Sequence, residues 1–197
     1  MKQLFFACVI AFCGLSLSAQ SNDNFSLGPK IGINFANVNN EFTDINPGLV
    51  FGLTSTYSLN ETSGIGVDLL YSQQGFKAQN VSNSYVNLNY LKVPILYKFF
   101  FNKLGDAFRP RLELGFSPGY LLSANTRDQD IKSSYRSFEI GAMGGLGFNY
   151  RVGSRLWLNV DLRADLGLTN LADINTLGIN DLKNRTVGFN IGLAYGI

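Results

Sequence analysis

The sequence predicts an all-β fold: an eight-stranded antiparallel up-and-down transmembrane β-barrel of the outer-membrane type. Three observations carry it. Past the first nineteen residues, apolar and polar side chains alternate along segments of ten or more residues, long enough to cross a bilayer as tilted strands. The connections between these segments run alternately short and long. The two faces of each segment also differ in bulk, one rich in Phe, Leu, Ile and Tyr, the other in Gly, Ala and charge.

The N-terminal stretch stands apart. Lys2 supplies a positive start, Leu4 to Leu17 an apolar run, and Ser16-Leu17-Ser18-Ala19 a cleavage region before Gln20. Residues 1–19 therefore read as a signal peptide, too short for a membrane span, and 20–197 as one outer-membrane β-barrel domain. Both cysteines, Cys8 and Cys13, fall in the leader. The exported chain is then expected to carry no thiol, which excludes a disulfide, a Cys–zinc site and a Cys nucleophile. The net charge is +2 and no basic run occurs, so no nucleic-acid partner is implied.

The strands follow in order. The first, 25–37, turns Phe35 outward and Lys30 inward; the second, 48–59, turns Tyr57 outward. The third, 64–75, sets Tyr71 against Asp68. The fourth, 86–101, sets Leu91, Val93, Ile95, Tyr97 and Phe99 against Tyr90, Lys92, Pro94, Leu96 and Lys98. The fifth, 108–122, puts Arg109, Arg111 and Glu113 opposite Phe108. The sixth, 137–151, carries Phe138, Phe148 and Tyr150 against Glu139, Gly141, Gly145, Gly147 and Arg151. The seventh, 155–168, alternates most regularly, with Leu156, Leu158, Val160, Leu162, Ala164 and Leu166 opposing Trp157, Asn159, Asp161, Arg163 and Asp165. The eighth, 185–197, sets Val187, Phe189, Ile191, Leu193, Tyr195 and Ile197 against small residues such as Gly188, Gly192 and Gly196. A period of two is the strand signature. Pro94 has no amide to donate, so a bulge or a local break is expected there.

Turns at Asn60–Ser63, Asn102–Ala107 and Val152–Ser154 are short, whereas Val38–Pro47, Gly75–Tyr85, Ser123–Arg136 and Thr169–Asn184 are longer and polar. That is the asymmetry of periplasmic turns and extracellular loops, with an even strand count placing both termini on the turn side.

Alternation alone also suits a soluble lipocalin-like barrel with its apolar face inward. Size separates the two, because an eight-stranded lumen is only just wide enough for side chains to fill. The glycine-rich polar face fits inside and the bulky face does not, so the apolar face meets lipid. The same registers gather Tyr57, Tyr97, Phe99, Phe101, Phe108, Phe148, Tyr150 and Tyr195 at one rim, and Phe35, Tyr71 and Phe138 at the other. Aromatic girdles at both bilayer interfaces are expected of such barrels.

Inward from most strands point Lys30, Asp68, Lys92, Lys98, Arg109, Arg111, Glu113, Glu139, Arg151, Asp161, Arg163 and Asp165. Buried charges persist when paired, so this set predicts a structural, salt-bridged and largely closed lumen. The competing reading is a narrow ion path. Catalysis is not indicated. No His or G-x-S-x-G sequence occurs, and Asp161 and Asp165 lie roughly 13 Å apart by strand rise alone, too far to cooperate. The glycine-rich Gly141–Gly147 opens no helix, which argues against a phosphate loop. Asp128 with Asp130, and Asp173 with Asn175, match no calcium-loop pattern and read as solvated loop polars. No cofactor or metal is implied.

The segment Tyr90-Leu91-Lys92-Val93-Pro94-Ile95-Leu96-Tyr97-Lys98-Phe99 closely resembles the YLxIPLLxKY segment of PorT-like outer-membrane β-barrel proteins, common in the Bacteroidota. Gly28-Pro29-Lys30-Ile31-Gly32, Gly115–Leu121 and the closing Gly192–Ile197 fit the same family. The resemblance implies an eight-stranded barrel in the cell outer membrane, in contact with its lipid and inserted by the barrel-assembly machinery; some relatives serve protein secretion. Chains of that family often end in Phe, where this one has Ile197. The expected function is a non-enzymatic scaffold whose extracellular loops meet a surface or secretion partner. The alternatives are a small pore for ions or solutes and a soluble lipocalin-like ligand binder.

Overall fold

The computed structural model describes residues 24–39, 43–78, 85–127, 129–172 and 182–197. The leader, with Cys8 and Cys13, and the loop residues Asp128, Asp173 and Asn175 lie outside the described residues.

Nine β segments form one closed antiparallel ring. They are β1 (Phe25–Val38), β2 (Thr43–Ser58), β3 (Ser63–Ala78), β4 (Tyr85–Lys92), β5 (Ile95–Phe100), β6 (Phe108–Asn125), β7 (Phe138–Arg151), β8 (Leu156–Gly167) and β9 (Asn184–Gly196). Consecutive segments pair, except that β4 and β5 lie end to end and each pairs with β3 and β6; β9 pairs back onto β1, so the sheet has no free edge among the described residues. β4 and β5 together make one stave, which gives a ring of eight.

The division of that stave comes from Pro94. On the β3 side, Leu70 pairs with Lys92 and Val67 with Ile95, so no residue is inserted. The irregularity is a break in the amide ladder rather than a bulge. The backbone partly bridges it: the Asp68 amide donates to the Pro94 carbonyl at 3.0 Å, and the Val93 amide to the Pro118 carbonyl at 2.9 Å.

Several strands outrun the bilayer-spanning pattern. β2 begins at Thr43 rather than 48, β3 runs on to Ala78, and β6 reaches Asn125. Polar residues that read as loop continue the ladder into solvent, where pairing no longer demands an apolar outer face. Asp44 pairs with Lys77 there, an opposite-charge cross-strand contact. The connections 39–42 and 79–84 are correspondingly shorter than the sequence suggests.

The faces sort by period two. Ile31, Phe51, Leu114, Phe116, Leu162 and Phe189 stand fully outward, Leu114 at 69% exposure. Tyr57, Tyr97, Phe99, Phe101, Phe108, Tyr150 and Tyr195 form an exposed aromatic ring at the turn end, with Phe108 packed on Phe148 at 5.3 Å. Phe35 and Phe138 are exposed toward the loop end, where Tyr71 stacks on Phe51 at 4.9 Å. An apolar belt of this extent facing outward rules out the soluble lipocalin-like arrangement.

Candidate functional site

The lumen is the place where this barrel concentrates its chemistry, and it is built in layers from inward positions. Glycine makes the space. A Cβ at Gly145 would stand 3.0 Å from the Arg163 Cγ and 3.2 Å from the Glu113 Oε1, and one at Gly141 would overlap the Asp165 carboxylate. Small residues on the concave face therefore let long charged side chains fold across the axis.

Arg163, on β8, is the hub of the central layer. Its guanidinium contacts Asp68 at 2.6 Å, Glu113 at 2.5 Å and Asp161 at 2.9 Å. Lys30 bridges Asp68 and Asp161 at 2.9 and 3.2 Å. Arg111 reaches Asp161 at 3.1 Å and Glu113 at 3.4 Å, and also donates to Asn149. Neutral groups complete the shell: the Thr54 hydroxyl donates to Asp68 at 2.6 Å and the Asn190 amide to Asp161 at 2.9 Å. Every one of these ionised side chains is buried, Asp68 at 0% exposure. Burial on this scale requires such pairing, because an isolated ion here would lose its hydration uncompensated.

Toward the loop end lies a second layer. Lys92 contacts both Glu139 and Asp165 at 2.6 Å, and the Asn184 amide donates to Glu139 at 2.7 Å. Between the two layers remains a cavity of about 30 Å³, lined among others by Asn34, Ser72, Lys92, Arg163 and Asp165. That holds about one water.

Above the second layer an apolar cluster closes the loop end. Val38, Leu88, Tyr90, Leu121 and Ala124 come from strands, and Tyr135, Leu171, Ala172 and Leu182 from the connecting segments. Burial lifts the Tyr135 hydroxyl above its ordinary ionisation range. The sequence reading missed this plug, since Leu171 and Leu182 stand outside any alternating pattern.

Toward the turn end the layers open. Lys98 donates to the Thr56 hydroxyl at 2.8 Å and makes no ion pair among the described residues. Arg109 is buried beneath the Phe100 ring, its guanidinium carbon 3.9 Å from the centroid. Arg151 departs from the sequence expectation. It faces inward by register but is exposed, because it is the last residue of β7 and lies where the mouth widens. Its guanidinium sits 5.7 Å from the Trp157 ring rather than in the ion-pair network.

Of the twelve inward charges read from the sequence, the structure thus brings Lys30, Asp68, Arg111, Glu113, Asp161 and Arg163 into one cluster and Lys92, Glu139 and Asp165 into another. Lys98 and Arg109 are buried beside them and Arg151 lies at the rim. Asp161 and Asp165 belong to different layers, each held by its own cations, so they form no acid–base pair.

A family model described as outer membrane protein beta-barrel domain matches residues 18–173, well over half of the chain. No curated protein matches it in sequence. Among solved structures it is similar to Neisserial surface protein A, at 16% identity and a TM-score of 0.61 over 88% of this chain and 97% of that one. The outer membrane protein OprG from Pseudomonas aeruginosa is similar at 15% identity and a TM-score of 0.59, covering 88% of this chain and 95% of that one. Outer Membrane Protein W of E. coli gives 14% identity and a TM-score of 0.53, covering 91% and 100%. At these identities the likeness speaks for the fold. Together with the closed ring and the outward apolar belt, the family match shows that this chain belongs to the outer membrane protein beta-barrel domain family and resides in the outer membrane.

Proposed function

We propose that this outer-membrane barrel is a non-enzymatic scaffold, closed to solutes, that presents its loop end to a partner protein at the cell surface or in secretion. The observation that carries this reading is the filled lumen. Two layers of buried ion pairs and an apolar plug leave about 30 Å³ between them, too little for a hydrated ion to pass. What such a barrel can offer is its outer rim. The resemblance of Tyr90–Phe99 to the PorT-like segment supports a secretion role, and the family match supports insertion by the barrel-assembly machinery. The buried carboxylates are all engaged by cations, which supports the absence of catalysis.

Conductance tests it. Refolded barrel in planar bilayers is expected to show no single-channel steps at moderate voltage. Stable steps that change amplitude in Arg111→Ala would overturn the closed scaffold and favour the pore.

A further inference from the structure

We propose that the turn-end mouth of the lumen is an anion site for a phosphate group, built by Arg109 and Arg151 against Phe100 and Trp157. A cavity of about 260 Å³ opens there. The residues that line it include Arg109, Arg151 and Arg155, the rings of Phe100 and Trp157, and the polar Asn24, Thr56 and Asn149. No Asp or Glu is among them. Its volume lies below the roughly 300–1,000 Å³ of sites for drug-sized ligands, which suits a small anion or a single headgroup.

The charge at this end is what calls for a ligand. Everywhere deeper in the lumen, apart from Lys98, the buried cations meet carboxylates. Arg109 does not, though it is only 3% exposed. Its guanidinium donates to the backbone carbonyls of Glu61 at 2.8 Å and Asn102 at 3.4 Å, and otherwise rests on the Phe100 ring. The carboxylate of Asp106, in the same turn, is occupied by the Lys103 amide at 3.0 Å. Glu61 faces Lys103 at 3.7 Å in solvent. Asp106 therefore attracts Arg109 without closing an ion pair on it; a buried cation so partly compensated is costly, and an anion entering the mouth offsets it.

The geometry also fits. A guanidinium offers planar paired donors that match a phosphate edge, and ring stacking holds that plane in place. Arg109 and Arg151 are each seated over an aromatic ring, and they come from the paired strands β6 and β7. This inference is independent of whether the lumen conducts, because the site lies outside the central ion-pair layer.

The chain supplies its own probe, for Trp157 is its single tryptophan. Inorganic pyrophosphate titrated into folded barrel in zwitterionic micelles is expected to change Trp157 emission along a saturable curve. Arg151→Ala, which touches no lumen ion pair, is expected to raise the midpoint about tenfold, the loss of one charge-assisted contact. Leu171→Ala, at the opposite end, leaves the midpoint in place. A second arm separates the sources of phosphate. If phosphatidylglycerol vesicles shift the emission and block pyrophosphate, whereas phosphatidylcholine vesicles do not, the occupant is a lipid headgroup; if neither does, it is a soluble anion. No saturable change up to about 10 mM, or a midpoint unaltered in Arg151→Ala, would overturn the proposal.

Discussion

The guanidinium of Arg163 and the carboxylate of Asp68, 95 residues apart in the chain, meet at 2.6 Å in the middle of the barrel. The contact joins β8 to β3 across the lumen. Asp68 also holds Lys30 and Thr54, so its loss takes one carboxylate from two buried cations at once and leaves both to share Asp161. Asp68→Ala is expected to lower the unfolding free energy by about 3–5 kcal/mol, the usual cost of breaking a buried pair from one side. Urea unfolding in lipid vesicles measures it, and a loss under about 1 kcal/mol would mean the cations are not dependent on this carboxylate.

Glycines along the inner face are expected to differ sharply in tolerance. A Cβ at Gly52 would stand 2.0 Å from the Leu69 carbonyl oxygen, a backbone atom that cannot retreat without moving β3. A Cβ at Gly66 meets only the far end of Lys98, at 2.3 Å from its Cε, and that chain can swing aside. Gly52→Ala should cost about 1–3 kcal/mol by overpacking, and Gly66→Ala little. Equal unfolding midpoints for the two variants would refute the distinction.

Pro94 is opposite Asp68 in an unbroken register, so a donor restored there has an acceptor waiting in the Asp68 carbonyl. Pro94→Ala is expected to yield an amide at 94 protected from hydrogen exchange. Stability should change little, since the ring methylenes lost from a buried site, about 0.8 kcal/mol each, roughly cancel the ladder bond gained, about 1 kcal/mol. Rapid exchange at 94 would show that the stave is bent away from β3.

The apolar plug should open separately from the barrel beneath it. Leu171→Asp places a charge in a site 1% exposed and is expected to expose the loop segments to protease, while the unboiled protein keeps its faster gel migration. Alkaline pH should act the same way through Tyr135. Its phenol is held neutral by burial, so the contribution is intact below the ordinary value near 10 and is lost as pH rises through the elevated one. Tyr135→Phe should remove that component of the pH dependence of proteolysis.

The faces of the strands were legible because period two is a local property: Lys30, Asp68 and Arg163 declare their side by their immediate neighbours. Which cation meets which carboxylate was not, since partners such as Lys92 and Asp165 are 73 residues apart and their meeting depends on ring closure. Arg151 has the right register and the wrong depth, a distinction set by where β7 ends. Thr43, Asp44 and Asn46 carry turn-forming side chains that the ladders with β3 and β1 override. Leu171 and Leu182 acquire meaning only when their segments fold over the mouth.

β8 contributes Asp161, Arg163 and Asp165, one or more to each ion-paired layer. Until that strand docks, Lys30 with Asp68, Lys92 with Glu139 and Arg111 with Glu113 have only each other, and each layer lacks the β8 charges that complete it, although six of the eight staves precede β8 in the chain. A partly assembled sheet must therefore keep its concave side hydrated, and expulsion of that water has to wait for the last hairpin. A barrel lacking β8 would thus carry an interior that is wet, open and short of three charges.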